Sequence, residues 1–585
     1  MKIRRIQVRN FRNLRDIEIF PSNTTVIIGE NCTGKSNLIY ALRLLLDPDA
    51  KRLELEISED DINDFALSVG ETSFSITVEI GDLQKHQELE AVFMPRIARD
   101  GEETYVTIEG KYEKDEEGAY NFRTQILSPE GRRNDPIEFK SQMRHYIPLY
   151  YLGAVRDAEK EMRATGRGSL SRILGDISLE DVEDEIIKNI RNANEALGQN
   201  QDINKLVEAI GNLLSPHIPG GEGEISIAVA TEDPVQLVKG LRLSLRRRSD
   251  LRAYEMYRHG TGLQNLVLIA MFRHQVSADE RICPILAIEE PEAHLHPQAQ
   301  SCLFEDLKKI KGPVLLTTHS SAIVECCDPR ELIRLVLKNQ NEARAYQLDR
   351  QRIEREDLNL FSRMIRSGRA DILFARSIII VEGASDAILV PAFADQIGCS
   401  LHRDGISVAS ADSNYFQFIL GFCDDRHLSI PAVIIFDTDA LKSCNDLLKQ
   451  ARNLGLISST VCEEGKDKTA EFRLEVLKKI GWIPAIENSE EEVLRAGYLQ
   501  LILKFIEEMG ELRSLNNFLF RKKLSKDATG IARFLNAKGD SLKVPVAREV
   551  ANAVESIGKV PECFKEAITK SIELAKGGTQ YHELD

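Results

Sequence analysis

The segment Gly29-Glu30-Asn31-Cys32-Thr33-Gly34-Lys35-Ser36 sets two glycines, a lysine and a hydroxyl at the spacing of a phosphate-binding loop. Glycines let the backbone curl until its N–H groups face phosphate oxygens. Lys35 adds positive charge at the β- and γ-phosphates, and Ser36 offers a hydroxyl to magnesium. Gly29, Asn31, Gly34, Lys35, Ser36 and Asn37 are the expected ATP contacts. Farther on, the apolar run Ile285-Leu286-Ala287-Ile288 ends in Glu289-Glu290. Glu289 suits magnesium and its waters, and Glu290 suits the polarisation of an attacking water. His319 follows Val314-Leu315-Leu316-Thr317-Thr318, where an imidazole would sense the γ-phosphate.

A second set of residues is acidic. Glu382 ends the run Ile378-Ile379-Ile380-Val381, and Asp386 lies one helical turn beyond it. Asp437 and Asp439 follow Val433-Ile434-Ile435-Phe436. In a parallel sheet both strand ends face one edge. Carboxylates gathered there repel one another unless cations sit between them. Two Mg2+ or Mn2+ ions in such a cluster make a phosphodiester-cleaving centre.

These residues need two α/β scaffolds. Ile3 to Ile19 reads as a hairpin, Thr25-Val26-Ile27-Ile28 as a strand, and Leu38 to Leu45 as a helix. Residues 70–150 alternate like strands. The stretch 161–218 is charged and helical, with Ile187, Ile190, Ala193 and Leu197 at helical spacing. Strand Ile285–Ile288, a helix near Gln298–Ile310 and strand Val314–Thr317 close the first scaffold. A second begins near Asp371, and the residues beyond 460 read as mostly helical. The expected division is 1–160 and 219–370 for one domain, 161–218 as its helical insertion for dimerisation, and 371–585 for the second domain.

A length of 585 residues accommodates this division. No apolar run spans a bilayer and the N-terminus lacks a signal core, so a cytoplasmic, membrane-free protein is expected. Ten cysteines without CxxC or zinc spacing read as reduced thiols. A net charge of −16 argues against a uniformly basic coat but leaves room for local basic grooves. Arg242, Arg246-Arg247-Arg248 and Arg252 form one candidate for phosphate contact, and Arg521-Lys522-Lys523 with Lys526 another.

Asn10-Phe11-Arg12-Asn13-Leu14, the phosphate loop, Glu289 to Pro297 and Thr318-His319-Ser320 together resemble the ABC-type ATPases of the RecF and SMC group. That resemblance implies heads that sandwich ATP between them. It assigns Gly262, in His259-Gly260-Thr261-Gly262-Leu263-Gln264, to the capping signature loop, although the usual form is Ser-Gly-Gly-Gln. Tyr151-Leu152-Gly153 resembles an element of such heads without evident chemistry. The Glu382, Asp386, Asp437, Asp439 set resembles a Toprim domain, a Rossmann-like fold here carrying helical additions.

An ABC-type head followed by Toprim resembles the OLD-family endonucleases, which include the nuclease subunit of the Gabija anti-phage system. The resemblance covers most of the chain and implies metal-dependent DNA cleavage, a homodimer or higher oligomer, and a role against foreign DNA. In a Gabija-type member it implies a UvrD-like helicase partner. It makes Glu487 a third-strand metal ligand, with Glu490 and Glu491 as competitors, and Lys543 the active-site lysine. Asp386 departs from the glutamate of many members. Two functions follow: an ATP-binding and ATP-hydrolysing DNA endonuclease, or a non-cleaving RecF/SMC-like DNA-repair ATPase whose C-terminal domain serves assembly. The acidic set favours the first.

Overall fold

The expected hairpin forms first, Lys2–Phe11 pairing antiparallel with Leu14–Ile19 so that Ile6 faces Ile19 and Val8 faces Ile17. The computed structural model describes residues 1–48, 57–114, 118–129, 135–154, 183–199, 201, 243–245, 254–277, 283–338, 342–348, 355–411, 419, 423, 427–437, 444–453, 457–458, 461–462, 469–485 and 488–577. Two units result: Met1–His145 with Pro313–Asp585, and Tyr146–Gly312. The fold class is the expected α/β. Among the described residues no helix is long and apolar enough to cross a membrane.

In the first unit, Lys2–Phe11 also pairs with Phe74–Gly81, which continues antiparallel into Glu103–Lys114 and Tyr120–Ile126. A second sheet holds the phosphate-loop strand Thr24–Gly29, buried along its whole length between two parallel neighbours, Val314–Thr317 and Leu332–Lys338. The sequence reading closes this scaffold at Val314–Thr317, whereas the structure adds Leu332–Lys338 and its antiparallel partner Glu342–Gln347. Arg334 interrupts the apolar run of Leu332–Lys338 and hides a buried strand from a hydropathy reading.

The same unit contains a four-stranded, all-parallel sheet in the order Ile406–Ser410, Ser377–Val381, Ala432–Asp437, Trp482–Ala485. The last strand lies in a stretch that reads as helical. Pro484 obscures it, and a proline is tolerated because this strand is at the sheet edge. The helices Ala384–Gln396, Asp540–Ile557 and Glu562–Ala575 share a core with the sheet, where Phe393 and Phe564 pack with ring centroids 5.0 Å apart.

In the second unit Leu149–Leu152 runs parallel to Ile285–Glu289, accompanied by helices Thr261–Ser277 and Pro297–Leu307. Glu183–Gly198 is helical as its periodicity predicts. Residues 161–182, 200 and 202–218, together with Arg242, Arg246, Arg247, Arg248 and Arg252, lie outside the described residues.

Arg334 ties the phosphate-loop sheet to the four-stranded parallel sheet. Its guanidinium is buried and donates to the carbonyls of Leu373 at 3.1 Å, Ala375 at 2.7 Å, Leu428 at 3.0 Å and Ser429 at 2.6 Å. Burial pushes its pKa down to about 10, so it stays charged at neutral pH. Leu373 and Ala375 immediately precede the strand Ser377–Val381. Replacing Arg334 with methionine would strand carbonyls that an apolar side chain cannot satisfy, costing on the order of 3 kcal/mol. Arg334→Met should therefore lower the thermal unfolding midpoint by several degrees, read by calorimetry. An unchanged midpoint would contradict this role.

Candidate functional site

Gly34 starts the helix Lys35–Leu46 with φ of 100°, a left-handed conformation that a side chain would strain. A Cβ there would also stand 2.6 Å from Leu14 Cδ2 and 2.8 Å from Asn13 Oδ1. No acid occupies the first turn of the helix, which leaves its N–H groups and dipole open to an anion. Lys35 Nζ arches over the loop, donating to Gly29 O at 2.9 Å and Glu30 O at 2.8 Å. Ser36 and Asn31 are exposed.

The hairpin supports this loop through contacts that motif reading missed. Asn13 donates to Cys32 O at 3.0 Å and accepts from Asn37 Nδ2 at 2.8 Å. Arg12 donates to Asn37 Oδ1 at 2.9 Å and to Asp61 Oδ1 at 2.8 Å. His319 is exposed just beyond the buried strand Val314–Thr317.

Glu289, Glu290 and Gly262 belong to the second unit. Glu289 is buried and accepts a hydrogen bond from Tyr151 Oη at 3.1 Å. This contact gives the Tyr151 segment a task that its sequence did not reveal. Glu290 has φ of 45°, a strained conformation for glutamate at a strand end. Gly262 sits in the first turn of Thr261–Ser277, where a Cβ would lie 2.6 Å from His294 O. Asn265 fixes the same helix by donating to Pro291 O at 2.9 Å and Ala293 O at 3.1 Å. His296 caps its own helix, accepting from Gln298 N at 3.4 Å.

The four-stranded sheet brings the acidic set together at its C-terminal edge. Glu382 Oε1 accepts from the Asp437 N–H at 2.9 Å. Asp437 Oδ1 accepts from Ser489 N at 2.9 Å, and the Ser489 side chain hydrogen-bonds Asp386. Burial first, then Glu382, Glu490 and Asp386, push the Asp437 carboxyl up to about 9. Burial and Glu490 push Asp386 up to about 7, against the pull of Ser489 and Lys543.

Glu490, which the sequence reading ranked behind Glu487, is part of this cluster. It pairs with Lys543 Nζ at 2.6 Å, while its Oε2 is buried with no hydrogen-bond partner among the described residues. Glu491 turns away, accepting from Thr529 Oγ1 at 2.7 Å. Asn488 caps Ser489–Val493 and sets these directions. Lys543 lies inside the first turns of Asp540–Ile557, a helix that carries Pro545 within it. Burial acts to lower the Lys543 pKa, but Glu490 outweighs it and the group is held above its ordinary value.

Asp439 and Glu487 lie outside the described residues. Among the described residues no three of these side chains form a ready metal-binding group. The donor set nonetheless fits divalent cations: hard carboxylate oxygens, Asp386 buried and Glu382, Asp437 and Glu490 half-buried, mutually repelling, one oxygen orphaned.

A parallel sheet with acids at the ends of two adjacent strands is the arrangement of a Toprim domain. The chain belongs to the family described as "Protein of unknown function (DUF2813)", matched over residues 1–371. It carries an "Overcoming lysogenization defect protein-like, TOPRIM domain" over residues 373–439. It is 25% identical to "Uncharacterized protein YbjD" of Escherichia coli K12, over 75% of this chain and 80% of that one. Identity to "OLD nuclease" of Thermus scotoductus is 24%, covering 75% and 82% of the two chains. "Endonuclease GajA" of Bacillus cereus VD045 is 22% identical over 82% and 84%. The OLD-like resemblance drawn from the motifs therefore holds along most of the chain.

The carboxyl shifts fix a pH dependence. Asp386 and Asp437 bind protons more tightly folded than unfolded, so their contribution is fully present below their ordinary pKa of 3.8. It is lost as pH rises through about 7 and about 9. In chelator, the unfolding midpoint should fall across that window, and Asp437→Asn should flatten the fall. A parent midpoint that rises with pH would contradict the clustering.

Proposed function

We propose that this chain is an ATP-binding and ATP-hydrolysing DNA endonuclease that cuts by metal-assisted phosphodiester hydrolysis. The observation that carries the reading is the gathering of Glu382, Asp386, Asp437 and Glu490 beside Lys543 at one sheet edge. Relatives named as nucleases support the substrate class.

Glu382, Asp386, Asp437 and Glu490 would hold Mg2+ or Mn2+, joined by Asp439 and Glu487. Bound there, the cations supply an activated water and neutralise charge on the phosphodiester. Ser489 orients Asp386 and Asp437 from its hydroxyl and its N–H. The Lys543 ammonium stabilises negative charge that grows on the phosphoryl oxygens as the bond breaks, so it acts on the transition state more than on the ground state.

At the nucleotide site, Lys35 and the helix N-terminus bind the phosphates and Ser36 contacts magnesium. By their motifs, Glu289, which Tyr151 hydrogen-bonds, would serve magnesium, Glu290 would polarise water and His319 would sense the γ-phosphate. A head of this kind acts with a second copy whose Gly262 loop caps the nucleotide, so the working form is at least a dimer. Defence against foreign DNA, in a Gabija-type setting beside a UvrD-like helicase, is the biological role this activity suits.

Purified protein with Mg2+ or Mn2+ should nick or linearise plasmid DNA. Asp437→Ala and Glu382→Ala should lower the rate by orders of magnitude with ATP binding intact. Lys543→Ala should lower it at least about a hundredfold with DNA affinity unchanged. Wild-type cutting by both carboxylate variants would overturn the reading. An equal loss of binding by Lys543→Ala would make the lysine a phosphate contact.

A further inference from the structure

The helix Leu512–Lys522 buries Leu515 and Leu519 and turns a different face to solvent. Arg513, Asn516, Asn517 and Phe520 occupy i, i+3, i+4 and i+7 along it, and all are exposed. Phe520 is 87% exposed, the most of any exposed large apolar side chain among the described residues. At Lys523 the chain turns left-handed with φ of 54°, ending the helix and leading to Lys526.

Arg521, Lys522, Lys523 and Lys526 are exposed as well. Between Leu512 and Lys526 there are five cations and no carboxylate, in a chain whose net charge is −16. Among the described residues none of these five cations takes part in an ion pair. The turn itself is fixed: Leu524 N–H donates to Leu519 O at 3.0 Å, and Asp527 caps the next helix through Gly530 N at 2.9 Å.

A lone aromatic in water, ringed by cations and amides, is a poor surface for an apolar partner and a good one for nucleic acid. Cations grip phosphates, and an aromatic face stacks on any base that is free of its pair. The patch is also joined to the carboxylate cluster. Three residues after Lys526, Thr529 bonds Glu491, whose neighbour Glu490 pairs with Lys543.

We propose that the end of this helix is the docking surface for the DNA substrate, with Phe520 stacking on an unpaired base and Arg513, Arg521, Lys522, Lys523 and Lys526 holding the backbone. This deepens the endonuclease reading and rests on it for the identity of the ligand. It makes DNA with locally unpaired bases the preferred substrate.

The test uses the full chain in chelator, so binding is read without cutting. Anisotropy compares a labelled duplex carrying a central unpaired bubble with the same duplex fully paired. The parent should prefer the bubble. Phe520→Ala should weaken bubble binding roughly five- to a hundredfold and leave the paired duplex unchanged, while Phe520→Trp keeps the preference. Lys522→Glu with Lys526→Glu should weaken both and reduce the salt dependence. An exposed side chain makes these variants safe for folding, and an unchanged calorimetric midpoint confirms it. Equal affinities of Phe520→Ala and parent for the bubble would overturn the stacking role. Phe520-dependent binding to anionic lipid vesicles in place of DNA would overturn the choice of ligand. Phe520-dependent DNA binding by a protein that cuts no plasmid would instead sink the nuclease reading and leave this surface standing.

Discussion

The structure turns on carboxylates forced together at the edge of a parallel sheet. Two strand ends deliver Glu382 and Asp437, a helix start delivers Asp386, and the capped turn after the edge strand delivers Glu490. Burial costs Asp386 and Asp437 solvation, and both feel the charge of Glu382 and Glu490. Protonation relieves part of that repulsion, the direction in which burial and the neighbouring acids push Asp386 and Asp437, and Lys543 relieves another part by pairing with Glu490. A group of residues held at such electrostatic cost is what a fold retains when a cation or a phosphodiester restores the balance.

The phosphate loop and this edge belong to one packed unit. Glu30, inside the loop, pairs with Arg376 at 2.6 Å, one residue before the strand that ends at Glu382. Arg334 stands on the strand beside the phosphate-loop strand and reaches the carbonyls of Leu373 and Ala375. A buried guanidinium with fixed acceptors resists sliding of one sheet against the other. The exposed Glu30–Arg376 pair is weaker, since solvent screens it.

Much of this was legible from local pattern. The P-loop, the hairpin, the strand before Glu289 and the strand ends at Glu382 and Asp437 all announce themselves through runs of neighbouring residues. What stayed hidden depends on residues far apart in the chain. Tyr151 meets Glu289 across 138 positions, and Arg334 reaches Ser429 across 95. Glu490 stands in the sequence only as a competitor of Glu487, because its pairing with Lys543 exists only once the helix Asp540–Ile557 is packed. The strands at Leu332–Lys338 and Trp482–Ala485 were masked by Arg334 and Pro484, each tolerated for a tertiary reason. Nothing in the alternation of Leu512–Lys522 marks Phe520 as an outward side chain until its neighbours are in place.

The central claim is that this cluster binds divalent cations by exchanging them for protons. Calorimetric titration of Mn2+ into the protein at pH 7, repeated in buffers of different ionisation enthalpy, counts the protons released. With Asp437 near 9 and Asp386 near 7, roughly one to two protons should leave per cluster filled, and Asp437→Asn should lower that count. Mn2+ binding at this cluster without proton release, or a release that Asp437→Asn leaves unchanged, would contradict the account.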